Sequence, residues 1–167
     1  MTVVKIVPMP GGVGPAGPQG PTGATGPAGL DGAVATFANA SAWTPVLSAT
    51  DFQQSANPAT GTYVQMGKLV FVTMEIPFSS VTNFGSGTYS VTLPFPTARH
   101  ADVYCGSFHD TSETKYYSVK GHHEANESEM TLWTLTASAF DEPLSSTLPV
   151  TVDGTDLIHL SFMYEIA

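Results

Sequence analysis

Between Gly11 and Gly32 every third residue is glycine. The eight glycines, Gly11, Gly14, Gly17, Gly20, Gly23, Gly26, Gly29 and Gly32, keep strict register. Pro15, Pro18, Pro21 and Pro27 all follow a glycine directly, and the position after that never holds proline. Chains with this period wind as polyproline-II strands in threes, because only glycine fits at the crowded axis. A structureless Gly/Pro linker has no reason to keep a period of three. The repeat therefore predicts a collagen-like triple helix, a three-chain assembly and a stalk roughly 60–70 Å long at ~3 Å per residue. So few triplets are marginal alone. The rest of the chain must gather and align three copies.

Composition divides the chain into three parts. Residues 1–10 contain "TVVKIV", a single strand whose apolar residues are Val3, Val4, Ile6 and Val7. A lone strand is not stable by itself. It either stays disordered or pairs with the sheet edge of another protein, which would make it an anchor. Residues 11–34 carry the stalk. Residues 35–167 are the knob, and no 3.6-residue periodicity runs through them.

The knob reads as all-β. "TYVQMGKLVFVTMEIPF" gives two strands around a Gly67–Lys68 turn, and in the second Val70, Val72, Met74 and Ile76 alternate with Phe71, Thr73 and Glu75. "GSGTYSVTLPF" gives a glycine turn and then Tyr89, Val91 and Leu93 on one face. "ADVYCGSFH", "KYYSVKG" and "MTLWTLTAS" are further strands. Asp153–Gly154 makes a turn before Ile158, Leu160, Phe162, Tyr164 and Ile166, the apolar face of a final strand whose opposite face carries His159. About seven to nine strands of this kind predict a β-sandwich, jelly-roll-like in outline. Phe71, Tyr116 and Trp133 are candidates for the contact between three copies.

Net charge and cysteine count exclude several classes. Fourteen acidic residues against five basic ones leave a net charge of −9. Nucleic acid and anionic lipid demand clusters of Lys and Arg, so neither is an expected partner. The single cysteine, Cys105, allows no internal disulfide and no paired-cysteine metal motif. It reads as a small buried thiol rather than a nucleophile. The N-terminus lacks the apolar core of a signal peptide, and no stretch has the ~20 apolar residues of a membrane span. The expectation is a chain made in the cytoplasm, with no membrane insertion.

Candidate chemistry is sparse. His122, His123 and Glu124 lie in the polar run "GHHEANESE", which reads as a solvated hairpin loop. Adjacent histidines on a strand point to opposite faces, which spoils a simple chelate, so no metal is expected there. Asp141, Glu142, Asp153 and Asp156 lack the regular spacing of a calcium loop and read as turn residues. Trp43, Tyr116, Tyr117 and Trp133 are candidate stacking surfaces for sugars. Glycoside hydrolysis needs two placed carboxylates, and no pair stands out. No cofactor and no catalytic residue are expected, and the chain does not read as an enzyme.

The layout resembles collagen-like tail fibre and minor tail proteins of bacteriophages. The likeness rests on the short N-terminal strand, the Gly-X-Y repeat, and a knob in which Tyr63, Gly67 and Val70 form a hairpin followed by a glycine turn and "LPFP" (Leu93 to Pro96). The resemblance implies a homotrimeric virion protein, fixed to other tail, baseplate or capsid proteins through its N-terminus. It implies a knob held outward toward the host surface, where such knobs commonly meet glycans. Two other readings stay open: a decoration fibre without a receptor, and a carbohydrate-active enzyme.

Overall fold

The computed structural model describes residues 11, 12, 14–21, 39–135 and 141–167. Val3, Val4, Ile6 and Val7, together with Gly23, Gly26, Gly29 and Gly32, lie outside the described residues. The chain divides into two units, Met1–Val34 and Ala35–Ala167. In the first, Gly11, Gly14, Gly17 and Gly20 are exposed and outside regular secondary structure. None has a positive φ, and a Cβ added to any of them would meet nothing within 4 Å.

The second unit is all-β. Among the described residues it holds twelve strands and no helix. They are β1 (Ser41–Trp43), β2 (Leu47–Thr50), β3 (Gln53–Gln54), β4 (Thr60–Met66), β5 (Leu69–Pro77), β6 (Val81–Asn83), β7 (Ser86–Thr92), β8 (Ala101–Asp110), β9 (Lys115–His123), β10 (Glu129–Leu135), β11 (Asp141–Pro143) and β12 (Leu157–Glu165). Ten form one antiparallel sheet in the order β1-β4-β5-β12-β8-β9-β10-β7-β2, with β11 also on β10, and β3 pairs with β6 apart from it. The long strands fall where alternation places them. The additional strands β1, β2, β3, β6 and β11 have four residues or fewer, too few to show a period, and exist through pairing.

One face of each long strand builds the core. Val70, Val72, Met74 and Ile76 of β5 are buried, as are Ile158, Leu160, Phe162 and Tyr164 of β12 and Tyr89 and Val91 of β7. Burial of each such side chain contributes on the order of 2 kcal/mol. The sheet curls, sandwich-like, until its distant strands share this core. Phe78, just past β5, is fully buried and lies 5.8 Å from Tyr89 of β7 and 6.2 Å from Phe108 of β8, ring centroid to centroid. Tyr63 of β4 meets Phe95 edge-on at 5.1 Å. The Tyr164 hydroxyl donates to the Phe95 carbonyl at 3.1 Å and accepts from the Phe95 N–H at 3.2 Å. Cys105 is buried as expected, and burial pushes its thiol pKa up to about 12, which disfavours the thiolate.

Turn chemistry sets the register. Met66 faces Leu69, so Gly67 and Lys68 alone close the β4–β5 hairpin. Gly67 has φ +62° while Lys68 has no positive φ, as in a type II′ turn, whose twist matches the flanking strands.

The chain's last strand is its structural middle. β12 pairs along nine residues with β5 and along four with β8. Beside it, the register of β8 against β9 shifts between Tyr104 and Gly106. Here the β12 backbone comes so close that a Cβ on Gly106 would lie 1.9 Å from the His159 carbonyl oxygen. Neither backbone can yield without opening the pairing. Gly106→Ala is therefore expected to destabilise the knob by about 2 kcal/mol or more and to lower its melting temperature by roughly 5 °C or more. A thermal melt followed by circular dichroism checks this. An unchanged melt would contradict the close approach.

Candidate functional face

Side chains that do not enter the core form an outer face with two distinct regions. The first covers one end of β4, β5 and β12. Phe71 lies opposite Val64 on one side and Met163 on the other, and Leu69 lies opposite Met66. Met66, Leu69, Phe71 and Met163 are 40–50% exposed. Alternation put Phe71 on the face opposite Val70 and Val72. Its neighbours became visible only through the strand register.

The second region covers β8, β9 and β10. Across the strands Asp102 faces His122, which faces Thr131, and Tyr104 faces Lys120, which faces Trp133. Tyr104 is 75% exposed and Tyr116 68%. Tyr116 stacks flat on His109, with centroids 4.2 Å apart and planes 7° apart. Trp133 is half-buried, and its indole N–H donates to the Thr131 hydroxyl at 3.2 Å. Of the four aromatic residues singled out in the sequence, Tyr116 and Trp133 therefore belong to this outer face, whereas Trp43 packs partly buried against the core. Tyr117 points the other way and packs toward Phe108, 6.3 Å away. Tyr104 was not among the sequence candidates. Its neighbour Cys105 is buried, and alternation along the regularly paired start of β8 puts Tyr104 outward with Asp102.

The polar run differs from its expected form. His122 and His123 are the last residues of β9, not part of a loop, because both pair with β8. The two do point to opposite faces. His123 is 2% exposed beside Tyr164, and desolvation holds its pKa below the usual imidazole value. His122 points out. Its Nδ1 lies 2.7 Å from Asp102 Oδ1, and its Nε2 lies 3.4 Å from Glu124 Oε1. His100, from the segment before β8, brings its Nδ1 to 3.1 Å from Glu124 Oε2. The His100 and His122 rings meet edge-on at 4.8 Å. Hydrogen bonding to Asp102, then the charges of Asp102 and Glu124, raise the His122 pKa; Asp102 is lowered chiefly by its hydrogen bond to His122, and Glu124 chiefly by its hydrogen bond to His100. Lys120 pairs with Asp141 and lies 3.9 Å from Asp102 Oδ2. His109 stands apart from this cluster and stacks on Tyr116.

Of the four acidic residues read as turn residues, Asp153 and Asp156 are so, whereas Asp141 and Glu142 lie in β11, held there by pairing with Leu135 and Thr134 of β10. Asp153 accepts hydrogen bonds from the Thr155 N–H and hydroxyl at 2.7 and 2.6 Å. Asp156, 1% exposed, accepts from the Thr111 N–H at 3.1 Å and the Asp153 N–H at 2.8 Å. It thereby ties the β8–β9 turn to the loop that feeds β12. His159 stands on the outer face opposite Glu75 and Ser107 and is exposed.

Asp156→Ala would leave two backbone N–H groups without their acceptor. It is expected to cost about 2–3 kcal/mol, against less than about 1 kcal/mol for Asp153→Ala, which breaks one local turn. Denaturant unfolding of the two variants checks the order, and equal costs would contradict it. No protein-family model, curated protein or solved structure matches the chain.

Proposed function

We propose that the chain is a homotrimeric, collagen-stalked fibre protein of a bacteriophage particle, which holds a β-knob toward the host surface for attachment to glycans. The observation that carries the reading is the glycine repeat. Glycine is otherwise required where φ is positive or where another group approaches closely. Gly11, Gly14, Gly17 and Gly20 meet neither condition within the single chain. A three-stranded rope supplies the missing reason, since the crowding then comes from two other copies. The wound stalk and the jelly-roll-like packing of the knob belong to this same reading.

A rope of eight triplets needs its strands aligned, and the apolar region around Phe71 suits that task. Four large apolar side chains exposed side by side are costly in water. Covering them with a second copy would place three knobs around one axis and set the stalk's register. The N-terminal strand would then fix the trimer to other proteins of the particle. Attachment would be multivalent. Three weak sites on one stiff stalk raise avidity without tight binding at any one of them.

The region on β8, β9 and β10 is the part of the knob that suits a sugar. Tyr104 and Tyr116 are exposed, Trp133 lies on the same face across Lys120 from Tyr104, and Asp102, Lys120 and His122 supply polar partners beside Tyr104. A flat apolar ring with charged neighbours is the usual chemistry of shallow carbohydrate contact, where C–H groups stack and hydroxyls hydrogen-bond.

Binding of the intact protein to an array of bacterial surface polysaccharides tests the reading. At least one class should bind. Tyr104→Ala should weaken that binding at least several-fold, while stability changes by less than about 0.5 kcal/mol because the side chain is mostly exposed. Binding that survives the substitution would move the site elsewhere. Failure to bind any polysaccharide would favour a decoration fibre.

A further inference from the structure

We propose that His100, His122 and Glu124 form a binding site for a divalent transition-metal ion, zinc foremost, with Asp102 as the residue that orients His122. One ligand atom from each of the three lies within 4.8 Å of the others. Tetrahedral zinc with bonds of 2.0–2.1 Å separates its ligand atoms by about 3.3 Å. Each imidazole already stands near that separation from one oxygen of Glu124, His122 Nε2 at 3.4 Å from Oε1 and His100 Nδ1 at 3.1 Å from Oε2. Small side-chain rotations would complete the set.

Hydrogen-bond logic points the same way. With its Nδ1–H donated to Asp102, a neutral His122 has only a lone pair at Nε2. That lone pair faces a carboxylate oxygen of Glu124, and two acceptors facing each other need a cation between them. The second oxygen of Glu124 faces His100 in the same manner. Either protons supply the positive charge, on two imidazoles whose centroids are 4.8 Å apart, or one dication supplies it to all three groups at once. Two imidazoles and one carboxylate are a donor set that suits zinc and its neighbours far better than calcium or magnesium. A histidine ligand whose second ring nitrogen is held by a carboxylate is the usual support for such an ion, and Asp102 is placed for it at 2.7 Å.

The backbone holds the ligands in place. Thr97, fully buried, donates its hydroxyl to the Glu124 carbonyl, its N–H bonds the Glu127 carbonyl at 2.9 Å, and its carbonyl accepts from Asn126 N–H at 2.7 Å. Ala98 N–H bonds the Glu165 carbonyl at 2.7 Å. The segment that carries His100 is thus fastened both to the turn that carries Glu124 and to the end of β12. A fourth coordination position would face solvent and take water.

Titration of the full chain with zinc chloride, followed by calorimetry and by competition with a chromogenic chelator, tests the proposal. One zinc ion should bind per chain. His122→Ala and the more exposed His100→Ala should each weaken binding at least tenfold, and Asp102→Asn should weaken it about 10–100-fold. Circular dichroism of each variant confirms that it is folded, and with two histidine positions available the test does not depend on either one. X-ray absorption at the zinc edge should show nitrogen and oxygen neighbours with imidazole scattering and no sulfur. Absence of binding at millimolar zinc, binding unchanged in both histidine variants, or one ion shared by three chains would each overturn the single-chain site.

Discussion

The pairing of β12 on both its edges is the constraint on which the knob depends. The strand lies between β5 and β8, buries Ile158, Leu160, Phe162 and Tyr164 on one face, and leaves Met163 and His159 on the other. Among the described residues, β5 and β8 are joined in the sheet only through it. Every contact it makes spans a long stretch of sequence, and closing such loops is slow. The geometry also explains the glycine at position 106. A β8 backbone that bends beside β12 leaves no room for a Cβ. Truncation near the C-terminus would remove the middle of the sheet and not a peripheral strand.

The same pairing assembles the outer face. β12 carries Met163 into line with Phe71 of β5, and the end of β12 holds the segment that presents His100. The apolar region and the aromatic, ionic region thus share one strand as their support. This separation fits the proposed reading as a fibre knob. One region has reason to be covered by another copy, and the other keeps exposed rings and charges available to a ligand. An ion held by His100, His122 and Glu124 would stiffen the edge of the second region.

Much of this was legible in the sequence because alternation is a strong signal in strands of seven residues or more. β5 and β12 have the faces that their apolar residues predict, and the Gly67–Lys68 turn is where composition puts it. Strands of two to four residues left no such trace. The histidine cluster was hidden for a different reason. His122 and Glu124 are neighbours in sequence, but His100 and Asp102 reach them only through the β8–β9 register. Read alone, "GHHEANESE" looks like a polar loop, and the correct inference that His122 and His123 diverge argued against a chelate. Tyr104 was likewise obscured, since the register shift after it puts Cys105 and Phe108, three residues apart, on the same buried face and blurs the alternation of β8. Residue types announce a core well, whereas a site drawn from several strands needs the register.

The central claim is that glycines with no role inside one chain are there for three chains. Light scattering gives the most direct test, through the solution mass of the full chain and of a fragment covering residues 35–167. The account predicts a trimer for both, with the knob gathering the chains that the stalk then winds. A trimeric full chain with a monomeric fragment would transfer that task from the knob to the N-terminal unit. A monomeric full chain would contradict the account, because the repeat would then have no partner strands to wind with.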